Sequence, residues 1–402
     1  MGHIDSHGAE LTDRQRELIA TARTLAAEFA PRAAEHDRDN TFPHENIQAL
    51  RAAGYLALTV PTEYGGGGAT VHDIVLAQGE LAKGDAATAL AVGMHLILVG
   101  KVAETRIWPE PVFARVAREI VDNGALINAA NSEPDLGSPS RGAPPSTRAE
   151  RTDSGWRING YKRWTSLAPA LSYLSVMCTV VDDGPPRRGS LLVPADAPGV
   201  EVIEAWDNLG MRATGSHDIR LTNVEVPLDA LVRYEGSNVP GDGKGWGGVV
   251  TGAVYLGVAE AARDEAVRYA TTRVPNGMET AIADLPAVQQ RIGQMEIWLL
   301  QARTLLHDVA RRWVAYPEDR AAMEWELAAA KYTVTNTAIQ VVDLALRVAG
   351  TAGLDRASPL QRHYRDVRTA LNQPPIDDQA LVIAAKAAIQ RVGGAGTSSP
   401  KS

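Results

Sequence analysis

Several absences bound what this chain can be. It has a single cysteine, Cys178, among 402 residues. No disulfide can close within it, and a cysteine-built zinc or iron–sulfur centre is excluded. It has no run of about 18 uninterrupted apolar residues, the length expected of a membrane span. It has no basic excess: 40 Lys and Arg stand against 48 Asp and Glu, a net charge of −8 and a pI near 5.7. That balance argues against a general affinity for nucleic acid or an anionic membrane. No His-Glu-x-x-His metal motif and no Gly-x-Ser-x-Gly nucleophile elbow occur. Gly65–Gly68 precedes a helix but lacks the Lys-Ser/Thr pair of a phosphate loop, so it reads as a turn. No nicotinamide-binding fingerprint is present either. Residues 1–8 lack the basic and apolar regions of a secretory signal and read as a cloning remnant, so a cytoplasmic setting is expected.

What remains is an ordinary globular composition, 45% apolar and 22% charged. Its length suits roughly two to three domains or one large multipart fold. Three zones follow. Residues 9–122 carry helical spacing. Thr12 and Gln15 form a capping box ahead of Leu18, Ala22, Leu25 and Phe29, and Pro31 is expected to interrupt that helix. Thr70 and Asp73 open a second helix through Ile74, Ala77 and Leu81. Residues 123–235 shift to short branched runs: Trp156 into a turn at Asn159-Gly160, then 173–181, 190–193, 200–203 and 219–226. That spacing predicts a small antiparallel β-domain. Residues 236–392 return to helix. Leu256, Ala259, Ala262 and Ala266 form one stripe, and Pro286 opens a segment from Val288 to Val309. A third segment runs from about Ala322 to Val348, before Gly350. Pro374-Pro375 then blocks helix, and Asp377-Asp378 suit the start of a last one. Residues 393–402 read as a flexible tail.

Five segments, in order, resemble the acyl-CoA dehydrogenase superfamily. They are Asn131-Ser-Glu-Pro-Asp-Leu-Gly-Ser138, Asn159-Gly-Tyr-Lys-Arg-Trp-Thr-Ser166, Leu209-Gly-Met-Arg-Ala-Thr-Gly-Ser216 with Val224-Glu-Val-Pro227, Arg347-Val-Ala-Gly-Thr-Ala-Gly353, and Tyr364-Arg-Asp-Val-Arg368. The resemblance covers about residues 11–390. It implies an α+β architecture: an N-terminal α-helical domain, a middle antiparallel β-domain and a C-terminal four-helix bundle.

The resemblance also implies a flavin, FAD or FMN. A flavin ring is flat and apolar with a polar edge, so it needs a stacking face and directed hydrogen bonds. Trp164 offers the face; Asn131, Ser132, Thr165 and Ser166 offer the polar groups. On its own, Trp164 would read as a core aromatic. Arg273 resembles the arginine that reaches the cofactor diphosphate of a neighbouring subunit, where its forked guanidinium suits two phosphate oxygens. Gln290, Gly350, Thr351 and Gly353 would complete that wall. Arg273-Val-Pro-Asn-Gly277 lacks the family's Phe. The carry-over implies a homo-oligomer, a dimer or tetramer.

A dehydrogenase of this family needs a carboxylate base to remove an acidified α-proton. Its usual slot falls here on Pro374, and the slot used by some relatives falls near Gly247. Neither titrates. Asp377 and Asp378 are the nearest acids. Other positions resemble the flavin-dependent monooxygenases of this fold, dibenzothiophene monooxygenase and the amino-sugar N-oxygenases among them. Gly93-Met-His95 is similar to a Gly-Tyr-His in the former, Ser166 matches an active-site serine, and Gln373 stands where that enzyme has His. The resemblance thus implies reduced flavin supplied by a separate reductase. Oxygen would react through a C4a-hydroperoxyflavin with an aromatic carbon, a nitrogen or a sulfur. His95, Ser166, Asn372 and Gln373 are the expected catalytic hydrogen-bonding groups, although a lone His in an apolar helix is as readily a satisfied core residue. Two alternatives stand beside this: an acyl-CoA or acyl-carrier-protein dehydrogenase with a displaced base such as Asp377, and a catalytically silent flavin-binding protein.

Overall fold

The computed structural model describes residues 11–135, 144–234 and 244–393. Helices α1 (Asp13–Asp39), α2 (His44–Ala52), α3 (Val71–Gly84), α4 (Ala86–Thr105) and α5 (Glu110–Asn123) come first. Strands β1 (Ile127–Ala130), β2 (Arg148–Arg151), β3 (Gly155–Thr165), β4 (Tyr173–Val181), β5 (Arg187–Pro194), β6 (Val200–Ile203), β7 (His217–Pro227) and β8 (Leu231–Tyr234) follow. Helices α6 (Lys244–Thr272), α7 (Pro286–Ala315), α8 (Glu324–Ala349), α9 (Pro359–Arg368) and α10 (Asp377–Gly393) close the chain.

The local signals act as expected at several ends. Gln15 N–H donates to Thr12 Oγ1 at 3.2 Å, and Thr12 N–H donates to Gln15 Oε1 at 3.1 Å, a reciprocal capping box. Pro286 takes the first position of α7. Gly350 stops α8 with φ +61°, a conformation that costs a β-carbon-bearing residue. Pro31 is a correction. It lies inside α1, which continues to Asp39. The lost backbone bond costs about 3 kcal/mol. Burial of Phe29 and Ala33 on either side offsets it.

The chain divides into two compact units that do not follow its linear order. One takes the chain up to Ala26, Val71–Ala86, and the chain from Lys244 onward. In it α8 packs against α6, α7, α9 and α10, while α3 packs on α6 and α7. The α6 stretch from Val249 to Ala259 is wholly buried, as expected of a helix that is apolar all round. A buried charge cluster ties the helices. Glu260 of α6 accepts from Arg303 Nε of α7 at 2.8 Å and pairs with Lys83 of α3 at 2.8 Å. Lys83 also reaches Glu80 at 3.1 Å, and Arg23 of α1 reaches Glu80 at 3.2 Å.

The other unit takes Ala27–Thr70 and Ala87–Gly243. Its sheet runs β6-β7-β3-β2-β4-β5-β8, with β1 also paired to β4. The sheet is mixed rather than purely antiparallel. Both β1 and β2 run parallel to β4, one along its first half and the other along its second. Trp156, Ile158, Val176, Leu191, Val193, Ile219 and Val224 fill the core on one face. A second core joins β1 and β5 to α4 and α5 through Ile127, Leu192, Val99, Phe113 and Ile120. Asn159-Gly160 is not a turn. β3 runs straight through it with a bulge between Ile158 and Gly160. A β-carbon on Gly160 would lie 2.2 Å from Thr147 Oγ1, so only glycine lets β2 approach.

By length and average hydropathy, Ala86–Thr105 and Glu324–Leu354 could each cross a membrane, although neither contains an uninterrupted apolar run. Of the most apolar window of α4, 72% is buried within the protein.

The Glu260 cluster sets an acid limit on stability. Burial would raise the Glu260 carboxyl, but Lys83 and Arg303 outweigh it and hold it at about 2. A depressed carboxyl stabilises the fold above its unfolded value, near 4.5, and the effect is lost as pH falls toward 2. Glu260→Gln leaves two half-buried cations, Lys83 and Arg303, facing a neutral amide, while Lys83 keeps a carboxylate partner, Glu80. The expected cost at pH 7 is about 3 kcal/mol or more. In urea melts the gap between variant and wild type should narrow steadily below pH 4.5.

Candidate functional site

Most of the expected flavin residues on the sheet unit gather at the ends of β1 and β3. Arg163 N–H donates to Ser132 O at 2.9 Å, and Asn128 Nδ2 donates to Ser166 O at 3.0 Å. The last residues of β3 therefore lie beside the segment that follows β1. A second bulge, between Lys162 and Thr165, re-aims Trp164. Trp164 has φ +58° and is 55% exposed. Its N–H donates to Asp218 Oδ1 at 3.3 Å, and the Arg163 guanidinium lies 5.0 Å from the ring centre. The cation lies over the ring, and more than half of the residue is open to solvent. A large exposed aromatic in a strained backbone conformation is costly unless something else over-determines it.

What over-determines it is beneath the surface. Lys162, fully buried, donates to Glu133 Oε1 at 2.6 Å and to the Met177 carbonyl. Glu133 also accepts from Ser146 N–H at 2.6 Å and Thr147 N–H at 3.1 Å. Burial works against its charge, but these donors hold the carboxyl below its ordinary range. The pair locks the Asn131-Ser-Glu-Pro segment to β3, β4 and the start of β2. Both residues stand inside motifs quoted above, yet neither was singled out. Their pairing joins positions 29 residues apart, and only the fold shows it.

Thr165 and Ser166 differ. Thr165 Oγ1 is buried and has no hydrogen-bond partner among the described residues. Such an orphan is expected where a ligand completes the site. Ser166 Oγ lies 2.8 Å from Ser216 Oγ, which lies 2.7 Å from Thr214 Oγ1. Asn131 is exposed and Ser132 half-buried.

His95 is a correction. Its Nδ1 accepts from Ile127 N–H at 3.1 Å, and its Nε2 lies 2.9 Å from Leu56 O. A carbonyl can only accept, so the proton is on Nε2. Both nitrogens are spent on backbone groups and the ring is wholly buried. Burial pushes its pKa down to about 4, against those two hydrogen bonds. It pins α4 to β1 and has no hydrogen bond to offer a peroxide or a substrate.

The expected residues of the helical unit fall into two groups. Arg273 follows the last residue of α6, and its carbonyl accepts from Ile282 N–H at 2.9 Å. Gln290 is exposed in the second turn of α7. Arg291 reaches the Arg347 carbonyl at 3.3 Å, tying that turn to the end of α8. Gly350 and Thr351 are exposed there and Gly353 is buried. Asn372 and Gln373 belong to the loop between α9 and α10, near the other end of α6. A β-carbon on Gly248 would touch Pro375 at 3.6 Å and Lys331 at 3.5 Å. From Gly248 to Thr272, α6 extends roughly 36 Å. The structure does not bring the two groups together within one chain.

The loop itself offers no base at the expected slot. Asn372 is exposed, and Gln373 Oε1 is buried without a partner among the described residues. Asp377 Oδ2 accepts from Asn336 Nδ2 at 3.0 Å, and Oδ1 stands 4.0 Å from Lys331 Nζ. Lys331, fully buried, donates to Ala370 O at 3.0 Å. Asp377 and Asp378 sit in the first turn of α10, where negative charge suits the helix dipole. Gly247 has open space around it and no side chain. Among the described residues no cluster of three His, Cys, Asp or Glu could hold a metal ion.

An exposed indole face, an orphaned buried hydroxyl and a rim of amide and hydroxyl groups fit a flat heteroaromatic cofactor. Comparison with known proteins agrees. Residues 12–105, 128–224 and 249–372 match the N-terminal, middle and C-terminal domains of acyl-CoA dehydrogenase. The chain belongs to the acyl-CoA dehydrogenase family, and members of that superfamily are flavin oxidoreductases. It is 45% identical to YdbM of Bacillus subtilis (strain 168), provisionally named an acyl-CoA dehydrogenase, over 92% of this chain and 96% of that protein. It is 30% identical to L-evernosamine nitrososynthase of a Micromonospora species over 90% of this chain and 86% of that protein. FMN-bound TdsC from Paenibacillus sp. A11-2 superposes with a TM-score of 0.82 at 25% identity, over 94% of this chain and 98% of that one.

Two substitutions probe the scaffold. A histidine with a depressed pKa stabilises the fold above its unfolded value of 6.5, and the effect is lost as pH falls toward 4. Full exposure of that shift is on the order of 3 kcal/mol. His95→Asn should therefore flatten the pH dependence of unfolding between pH 6.5 and 4. Lys162→Met strands the Glu133 carboxylate and should cost about 3–5 kcal/mol, with much of it recovered in Lys162→Met/Glu133→Gln, as read by chemical denaturation.

Proposed function

We propose that this chain is a flavin-dependent monooxygenase. It would take reduced FMN or FAD from a separate reductase, in the cytoplasm, and use O₂ to oxygenate a small organic substrate at an aromatic carbon, a nitrogen or a sulfur. The observation that carries this reading is the loop between α9 and α10. At the family's base slot it presents Asn372, Gln373 and Pro374, which have no titratable side chain. The nearest carboxylate, Asp377, is engaged by Asn336 and set against Lys331. Likeness to L-evernosamine nitrososynthase supports it.

A bound flavin would supply the two-electron reductant and the site of oxygen activation. On the sheet unit, Trp164 would supply a stacking face and Thr165 a hydroxyl. On the helical unit, Asn372 and Gln373 carry amide groups that would hydrogen-bond a polar ligand atom. The span of roughly 36 Å along α6 supports a reading in which Arg273 and the Gly350 loop serve the flavin of a second copy, so the proposal includes a homo-oligomer.

A second reading rests on the likeness to YdbM: an acyl-thioester dehydrogenase using Asp377 as a displaced base. Anaerobic reduction of the flavin-loaded protein, followed by rapid mixing with oxygenated buffer, separates the two. The monooxygenase reading expects a transient absorbing species before the oxidised spectrum returns. Direct return to that spectrum, together with bleaching of oxidised flavin by an acyl-CoA thioester, would reject it. In the second case Asp377→Asn should abolish the bleaching.

A further inference from the structure

Three hydroxyls, those of Ser166, Ser216 and Thr214, form a line, and counting their protons orders them. Thr214 Oγ1 lies 2.9 Å from the Met211 carbonyl. A carbonyl only accepts, so Thr214 donates there and its single proton is used. The 2.7 Å contact between Thr214 Oγ1 and Ser216 Oγ can then be a hydrogen bond only if Ser216 donates. That uses the Ser216 proton. The 2.8 Å contact between Ser216 Oγ and Ser166 Oγ in turn requires Ser166 to donate inward. Thr214 and Ser216 are buried and Ser166 is half-buried at the open end.

The backbone holds this order. Leu167 N–H donates to Thr214 O at 3.0 Å, and Ala168 N–H donates to Gly215 O at 3.1 Å. Leu167 and Met211 both have positive φ, at +67° and +53°. Non-glycine residues keep that conformation only where surrounding bonds over-determine it. The two segments are therefore clamped, which keeps Ser166 Oγ within hydrogen-bond reach of Ser216 Oγ.

We infer that Ser166 is an acceptor-only hydroxyl, its proton committed by the positioning residues Ser216 and Thr214, so that this point of the site selects a ligand N–H or O–H donor. The inference deepens the flavin reading of the site and rests on it for the identity of the ligand. Two-electron reduction adds a ring N–H that oxidised flavin lacks. An acceptor-only Ser166 therefore favours the reduced form, the form a separate reductase would deliver.

Neutron diffraction from crystals of the perdeuterated protein tests the proton order without any flavin. The expected nuclear density places the Ser166 deuteron toward Ser216 Oγ and the Thr214 deuteron toward Met211 O. A Ser166 deuteron directed outward overturns the inference. The ligand preference is tested by anaerobic titration with oxidised and dithionite-reduced FMN and FAD. Wild type should bind the reduced form more tightly. Ser216→Ala releases the Ser166 proton and should lower the ratio of affinities about tenfold, while Ser216→Thr should keep it. Thr214→Val should act like Ser216→Ala, and it stands in should that variant fail to fold. An unchanged ratio in both overturns the inference. A wild type that binds neither flavin in either state rejects the flavin reading, and the neutron density still decides the proton order.

Discussion

Lys162 and Glu133 lose their water together, and the sheet has to supply what water gave. The ammonium takes one carboxylate oxygen and one strand carbonyl; the carboxylate takes two backbone amides besides. A buried ion pair of this kind adds little stability over an apolar one, because desolvation cancels much of the attraction. What it adds is position. Each partner has only one place where its charge is satisfied, so β1, β2, β3 and β4 cannot slide past one another. The bulge that turns Trp164 outward begins at that lysine. The exposed indole is thus a surface feature with a buried cause.

The helical unit follows the same logic at its ends. Buried Lys331 reaches the Ala370 carbonyl ahead of the loop and faces Asp377 beyond it. Asn336 holds the same aspartate from the next turn of α8. Burial pushes the lysine's pKa down, and Asp377 opposes that push. The proline pair between these anchors removes two amide donors and leaves the loop short of backbone bonds. Its geometry is therefore fixed from α8 rather than from within. In both units a cation without solvent orders the segment that carries the candidate chemistry.

Much of the architecture was legible because its signals are local. The Thr12–Gln15 box, Pro286 and Gly350 each act within one helical turn, and each marks an end in the structure. The strand runs at 173–181 and 200–203 alternate or cluster over a few residues, and both appear with those bounds. The failures are of another kind. Pro31 and Asn159-Gly160 are local breakers overruled by packing: Phe29 and Ala33 hold α1 together, and Thr147 holds β2 against Gly160. The parallel pairings of β4 join strands far apart in the chain, which periodicity cannot see. At the candidate site, residue types mark segments, while the contacts of each side chain come only from the fold. His95 looks reactive in sequence and proves to be a backbone clamp. Ser166 reads in sequence only as a polar group, and its line of hydroxyl contacts through Ser216 to Thr214 joins positions about 50 residues apart.

Cys178 lies in β4, the strand that pairs with β1, β2 and β5, and its side chain is wholly buried. Burial raises its thiol to about 12, despite the nearby Lys162 ammonium. A thiol in that state is inert to alkylating reagents until β4 is exposed. Because it is the only thiol in the chain, every labelling event reports the same strand. The protein therefore carries its own clock for the opening of its sheet, and the rate of modification reads the free energy of that opening without an introduced probe.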